Sequence, residues 1–144
     1  MTYANGAVPV PVKLLLLKTN NGTGSLTVND IIALNTTPIL NTTTATINSD
    51  NIVLGPGNYM IDAGLGINNS ADPISNYVDF NLTVDGVAQS SPASTTQDNK
   101  IGVDASVCAL SIETGTKTIK IKITTLAGTC HVEDDYSFVK ILEV

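Results

Sequence analysis

His131 is the only histidine in the 144-residue chain, so its neighbourhood is the first place to look for chemistry. Cys130 precedes it, and Glu133 follows two residues later. Adjacent side chains of a strand point to opposite faces, so Cys130 and His131 are poorly placed to bind one metal ion. His131 and Glu133 share a face, but two ligands fall short of the four that zinc takes. The pattern predicts a surface histidine and no metal site.

The acidic run from Glu133 to Asp135 is the second candidate, in this case for calcium. Calcium takes about six to eight oxygen ligands, which several residues must supply. The chain has no Asp-x-Asp-x-Asp-Gly loop that would supply them. We therefore interpret the run as an exposed acidic turn.

Residue patterns typical of catalysis are missing from the sequence. There is no Gly-x-Ser-x-Gly motif, and Gly22 and Gly24 lack the lysine and the helix of a phosphate-binding loop. No particular pair of carboxylates is indicated for glycoside hydrolysis. We predict that the protein is not an enzyme and binds no cofactor.

The charge balance excludes two classes of partner. Seven lysines, no arginine and thirteen acidic residues give a net charge of −6. Bidentate readout of bases and phosphates depends on arginine, so we expect no nucleic acid. An acidic chain is equally unsuited to an anionic membrane. Acidity of this kind usually serves solubility alone.

The elements that must position these residues are predicted to be strands. Aromatic residues make up only 4% of the chain and tryptophan is absent, so aliphatic residues must fill the core. Residues 59–67 and 77–84 alternate between apolar and polar positions, as do residues 117–124, and Asp85-Gly86 is typical of a primed hairpin turn. Residues 30–34 favour a strand over a helix. Residues 101–112 carry apolar side chains on both faces, which predicts either a bulge or two covered faces.

The count is eight to ten short strands at regular spacing, with no convincing helix. This pattern predicts an all-β protein, an antiparallel β-sandwich with jelly-roll (Greek-key) topology. Cys108 and Cys130 both fall in predicted strands. They could pair or stay free, and we favour reduced, structural thiols.

The first 28 residues are predicted to form an extended N-terminal arm, followed by the jelly-roll domain at residues 29–144. Prolines alternate with valines in the arm, and residues 13–18 have the composition of a short buried strand. The apolar run of the arm is shorter than that of a signal peptide. An apolar stretch with no evident place in an eight-stranded sandwich favours a contact with a larger assembly. The predicted contact residues are Val8, Val10, Val12, Leu14, Leu15, Leu16 and Leu17.

Two polar loops, residues 68–76 and 89–100, are candidates for binding a receptor or a glycan, because the ends of a jelly roll present such surfaces. The simpler interpretation is that both loops are only solvated. Within the second loop the candidate residues are Ser91, Thr95, Gln97 and Asp98.

Two motifs resemble a known family. The turn Gly55-Pro56-Gly57 followed by Tyr59, and the closing strand that begins Ser137-Phe138, resemble the jelly-roll domain of tumour-necrosis-factor-like ligands and complement-type globular heads. The resemblance covers about residues 30–144. With few aromatics and no collagen stalk, the chain is most similar to the form of this fold used in virus and bacteriophage particles. The resemblance implies a homotrimer.

Together these observations predict a non-enzymatic virion structural protein, assembled in the host cytoplasm. The expected role is a trimeric capsid decoration (cement) protein of a bacteriophage, with the arm bound to the major capsid protein or another virion protein. The alternative is the receptor- or glycan-binding tip of a head or tail fibre. A soluble cytokine-like ligand is a third, weaker interpretation.

Overall fold

The computed structural model describes residues 11–22, 24–69, 77–89, 93–96 and 102–144, with the backbone alone at residues 69, 93–96 and 102–105. This part of the chain forms twelve strands and one 3₁₀ turn, Asp134–Tyr136. Three of the strands are only two residues long, which is why the count exceeds the predicted eight to ten. The strands are β1 (Lys13–Lys18), β2 (Leu40–Asn41), β3 (Thr46–Ile47), β4 (Ile52–Leu54), β5 (Gly57–Asn69), β6 (Tyr77–Val84), β7 (Val87–Ala88), β8 (Ala93–Thr96), β9 (Gly102–Ile112), β10 (Lys117–Ala127), β11 (Cys130–Val132) and β12 (Phe138–Glu143).

The strands form two six-stranded antiparallel sheets that pack face to face, which confirms the predicted jelly-roll sandwich. The first sheet has the order β11-β5-β12-β1-β2, and β9 pairs with the other edge of β5. The second sheet has the order β3-β4-β10-β6-β7, and β8 also pairs with β6. The described residues contain no helix long and apolar enough to span a membrane.

β5 pairs with three strands of the first sheet, β9, β11 and β12, and its alternation is the one predicted. Its inward side chains, from Tyr59 to Ile67, are at most 2% exposed. The ring of Tyr59 folds back over the preceding turn, and its hydroxyl donates to the Gly55 carbonyl at 3.0 Å. A Cβ on Gly57 would lie 2.8 Å from that hydroxyl oxygen, so glycine is required where the ring crosses the turn.

The predicted hairpin turn at Asp85-Gly86 is also confirmed. Asp85 has φ +49° and Gly86 φ +82°, and the flanking strands β6 and β7 pair directly across the two residues. Positive φ at both positions is the requirement of a type I′ turn. The Asp85 carboxylate accepts hydrogen bonds from Lys117 Nζ at 2.8 Å and from the Thr118 amide at 2.9 Å, which fix the turn to β10.

The core between the sheets is aliphatic, as the composition predicts. Alternate residues of β5, β6, β10 and β12 meet there, and Phe80 is the one phenylalanine among them. Its largest fully buried side chains are Leu15, Leu17, Ile32, Ile52, Leu54, Ile61, Leu65, Ile67, Phe80, Leu82, Ile119 and Ile121.

Two strand predictions were wrong in detail. Residues 30–34 form only isolated bridges at Ile31 and Leu34, because this segment crosses from β10 of the second sheet to the end of β1 in the first. β9 contains no bulge, since its register with β5 is regular from Ile112 to Gly102. Its two apolar faces have another explanation: one packs into the core and the other lies on the surface. The register shift of this fold lies between β10 and β6 instead.

The boundary between arm and jelly roll also differs from the prediction. β1 lies between β12 and β2 in the first sheet, where Leu15 and Leu17 are 0% exposed. These two leucines belong to the core of the sandwich and are unavailable to a partner. The strand therefore has a place in the sandwich that the sequence did not reveal, because its contacts are with the other end of the chain.

Cys108 and Cys130 are both free and buried. Cys108 lies opposite Ile61 and Cys130 opposite Asn69, and these two partners are eight residues apart along β5. At roughly 3.3 Å per residue that spacing is about 26 Å, far beyond the reach of a disulfide. Burial raises the pKa of both thiols, as expected of structural cysteines.

Candidate functional site

The outer face of the first sheet gathers apolar side chains at the surface. The strand register places side chains in rows that run across the sheet. One row contains Leu14, Leu142, Met60 and Ala109, in the order β1, β12, β5, β9. The next contains Leu40, Leu16, Lys140, Asp62 and Val107, in the order β2, β1, β12, β5, β9. We call these two rows the apolar face.

The apolar face is open to solvent. Met60 is 51% exposed, Val107 52% and Leu40 43%, while the leucines of β1 and β12 are half-buried by their neighbours. Large contiguous apolar patches are uncommon on soluble monomers and usually mark an interaction site. One sequence signal for it was the uninterrupted run Leu14–Leu17, because a strand apolar on both sides is typical of one that is covered on both sides.

The surface around Met60 is not flat, because a hollow lies on each side of this residue. On one side lies a hollow of about 340 Å³, lined by Asn58, Ala109 and Val144 among others. On the other lies a smaller hollow of about 160 Å³, lined by Asp62, Val107 and the β12 side chains. Met60 lines both hollows. Such a surface suits interdigitating contact with another surface better than it suits an enclosed small molecule.

Only one ion pair interrupts the apolar face. Lys140 on β12 lies directly opposite Asp62 on β5, and Nζ and Oδ2 are 3.6 Å apart. The Asp62 Oδ1 atom is inaccessible to solvent and has no hydrogen-bond partner among the described residues. The face thus has one acid and one base at its centre and no net charge there.

The outer face of the second sheet is different in character. On β10, Lys120 and Lys122 point away from the core, and on β6 Asp79 and Thr83 do the same. Lys120 is paired with Asp50 at 3.2 Å. The two outer faces of the sandwich therefore differ in polarity: that of the first sheet is apolar, and that of the second is polar and charged.

The histidine cluster has the geometry predicted for a surface site. His131 Nε2 lies 3.1 Å from Glu133 Oε1, and the Asn68 amide donates to the same oxygen at 2.7 Å. Cys130 points into the core on the opposite face and is 1% exposed. Within the described ranges, no three histidine, cysteine or acidic side chains are grouped so as to hold a metal ion.

The acidic run that follows has a structural role. The Asp134 carboxylate accepts hydrogen bonds from the Asn21 amide at 2.9 Å, from the Gly22 amide at 2.8 Å and from the Thr19 hydroxyl. It thereby fixes the loop after β1. Asp135 is exposed and pairs with Lys18 at 3.3 Å. These oxygens are already engaged with the protein, so they do not form a ready calcium site.

The predicted contact residues of the arm are divided by the structure. Val8 and Val10 lie outside the described residues. Val12 is 70% exposed immediately before β1, and Leu14 and Leu16 lie on the apolar face. Leu15 and Leu17 are core residues, as described above.

The predicted receptor loop lies largely outside the described residues. This applies to Ser91, Gln97 and Asp98. Thr95 falls within β8, where only the backbone is described, so part of the presumed loop is a strand paired with β6. Whether this loop binds a receptor stays a prediction.

No family model and no curated protein sequence matches the chain. Solved structures do match. Murine APRIL at pH 5.0 superposes with a TM-score of 0.64 at 11% identity, over 93% of this chain and 100% of that chain. The globular domain of zebrafish complement 1qA protein gives a TM-score of 0.57 at 9% identity, over 92% of this chain and 95% of that chain. Both are tumour-necrosis-factor-like jelly rolls, so the chain has this fold and the predicted resemblance is confirmed at that level.

Proposed function

We propose that the chain is a non-enzymatic structural protein that forms a homotrimer through the apolar face and decorates the capsid of a bacteriophage. The observation that carries the proposal is a sheet face that is apolar across five strands and exposes Met60 on β5 and Val107 on the edge strand β9. Burial of such a face contributes about 25 cal/mol for each Å² of apolar area removed from water.

Charge argues that the occupant of this face is another copy of the chain. The protein carries a net charge of −6, so copies repel one another through most of their surfaces. At the apolar face the one acid and the one base balance, and a neutral apolar surface is where two copies can approach. A trimer is the stoichiometry that the family resemblance implies.

Composition and the N-terminal residues support a place on a virus particle. The similarity to the phage form of the fold rests on the low aromatic content. The proline-rich residues before β1, including the 70% exposed Val12, are suited to docking on a capsid protein. A cement protein works by burying surface at shell junctions, which requires no catalytic group.

The proposal is tested on particles from the virus that carries the gene. The protein should be present among the components of purified capsids, in multiples of three. Recombinant protein should rebind to stripped particles and raise the temperature at which the shell opens. A variant lacking residues 1–11 should fold and trimerise but fail to rebind. The deletion must end before β1, since removing residues 1–28 would remove a core strand. Absence of the protein from the particles would overturn the proposal.

The alternative is a receptor- or glycan-binding tip of a fibre. Tyr77, 37% exposed, lies opposite Thr96, which directly precedes the predicted receptor residues Gln97 and Asp98 in the sequence. An exposed tyrosine next to polar residues is a common platform for binding. Under this alternative, Tyr77→Ala should reduce adsorption to host cells and leave particle stability unchanged. The matched control is Tyr136→Ala, which removes another exposed tyrosine, in the 3₁₀ turn Asp134–Tyr136.

A further inference from the structure

We infer that Asp62 and Lys140 pair between copies of the chain and fix the arrangement in which those copies assemble. In the assembly, Lys140 of one copy binds Asp62 of the next. This inference rests on the self-association proposed above and names the polar determinant of that interface.

The position of the pair is the first argument. Asp62 and Lys140 lie directly opposite each other, and Val107 and Leu16 flank them in the same row. The adjacent row is apolar throughout, with Met60 among its members. On the other side, Phe138 lies opposite a glycine, and the neighbouring Lys18 is already paired with Asp135. Apart from Lys18, no charged side chain of the described residues lies in the two rows beside the pair.

The poor geometry of the pair within one chain is the second argument. Its atoms are 3.6 Å apart, which is too far for a hydrogen bond. By comparison, Lys13 binds Glu143 at 2.7 Å and Lys117 binds Asp85 at 2.8 Å. Asp62 Oδ1 is already shielded from water and accepts no hydrogen bond from the described residues. Asp62 therefore has accepting capacity left, and the Lys140 side chain is 50% exposed and free to reach outwards.

The cost of burying an unpaired charge makes the contact between copies specific for one arrangement. A charge covered by an apolar surface without a close partner is strongly unfavourable, whereas a covered pair with good geometry is tolerated. Apolar contacts are non-directional and would accept several registers between copies. The requirement that Lys140 meet Asp62 rejects every register in which it does not. The apolar residues provide the affinity, and the ion pair selects the arrangement.

The decisive experiment exchanges the two charges within one chain. The variant Asp62→Lys/Lys140→Asp preserves a pair both within a chain and between identical chains. It should therefore assemble with itself. Mixed with the wild-type chain, however, it would bring lysine against lysine and aspartate against aspartate between copies. The two proteins have the same mass, so one is labelled with ¹⁵N, both are exchanged through a dissociated state, and the assemblies are measured by native mass spectrometry.

We expect mixed assemblies to fall about tenfold or more below their statistical share, because like charges would meet in each mixed contact. Labelled and unlabelled wild type should mix statistically, which is the control for exchange. Statistical mixing of the exchanged variant with wild type would overturn the inference and leave the self-association intact. A wild-type chain that is monomeric would instead overturn the proposed function.

A second measurement decides the question if the exchanged variant does not fold. The single variants Asp62→Cys and Lys140→Cys are mixed and oxidised. We expect a disulfide-linked dimer from the mixture and little or none from either variant alone, because the contact joins position 62 to position 140. The native Cys108 and Cys130 are buried and do not compete. A mixture without linked dimer, or equal linkage within one variant alone, would contradict the inference.

Discussion

Gly64 is a position where the packing leaves no room for a side chain. It lies opposite Phe138 in the first sheet, and a Cβ there would meet the phenylalanine ring at 2.6 Å. The ring covers the glycine, a cross-strand pairing that stabilises a residue otherwise unfavourable in a strand. The requirement for glycine at position 64 thus comes from Phe138 on the neighbouring strand, and the sequence of β5 alone does not reveal it.

We predict that Gly64→Ala destabilises the fold by about 1–3 kcal/mol, because the ring must leave its place on β5. Chemical denaturation measures the loss. Gly24→Ala is the matched control, since a Cβ on Gly24 meets nothing within 4 Å and the change should be near neutral. In a Phe138→Ala background the cost of Gly64→Ala should disappear. An undiminished cost in that background would show that the ring is not the cause.

The carboxylate of Asp85 makes the stability of the fold depend on pH. The hydrogen bond from Lys117, followed by that from the Thr118 amide, holds the pKa of Asp85 below its usual value of 3.8. The folded state therefore favours the carboxylate. The stability that this provides is present above the unfolded pKa and is lost as the pH falls through the lower, folded value.

We predict that Asp85→Asn lowers the midpoint of thermal unfolding at pH 7, and that the difference from wild type shrinks below about pH 4. Asparagine also tolerates positive φ, so the turn itself is preserved. Asp135→Asn is the control, since this carboxylate is 89% exposed and its pair with Lys18 contributes little. A difference that is the same at pH 7 and pH 3 would contradict the account.

β1 is the element whose role differs most from its sequence pattern. Its four leucines suggested a contact surface, but two of them fill the core and two lie on the apolar face. Both outcomes follow from alternation in a strand that has neighbours on each side. The pattern predicts a covered strand, yet it contains nothing about the pairing with β12, because the paired residues are 120 to 130 positions apart in the sequence.

The strand therefore provides a test with two adjacent leucines. We predict that Leu17→Ala costs about 2–5 kcal/mol, the range for a fully buried leucine. Leu16→Ala should cost much less in the monomer, because its side chain lies on the outer face. Both are compared in a Val107→Lys background, so that assembly does not contribute to unfolding. Equal losses would show that the two faces of β1 are not distinguished as described.

The sequence could predict those features of the strands that depend on residues close together in the chain. The turns at Pro56-Gly57 and Asp85-Gly86 are local, and the long strands beside them, β5 and β6, were found with their inward faces correct. Of the two explanations offered for β9, the bulge was wrong, because the register with β5 is regular and the second set of apolar side chains lies on the outer face. The apolar face itself consists of residues from five strands, so only their pairing brings Met60 and Val107 together.

At the scale of the whole molecule, the two outer faces of the sandwich determine how it meets other molecules. One is charged and polar, and the other is apolar with a single central ion pair. A protein of net charge −6 with one such face is expected to hide that face. Self-association through it is the central claim of the proposed function, and the capsid role depends on it.

Two exposed valines allow this claim to be tested with matched variants. Val107 is 52% exposed on the apolar face, and Val87 is 64% exposed on β7 of the second sheet. Each is changed to lysine. A lysine at position 107 would lie opposite Asp62 and compete with Lys140 for that carboxylate. The covered face would then carry one positive charge without a partner, which should prevent assembly, whereas the same charge at position 87 stays in water.

The measurement is the mass in solution by analytical ultracentrifugation across a range of concentrations. We predict that the wild-type protein and Val87→Lys sediment at three times the 15.0 kDa of one chain, and Val107→Lys at the mass of a single chain. A wild-type protein that stays at the mass of one chain at every concentration, or a Val107→Lys variant that assembles as the wild type does, would contradict the account.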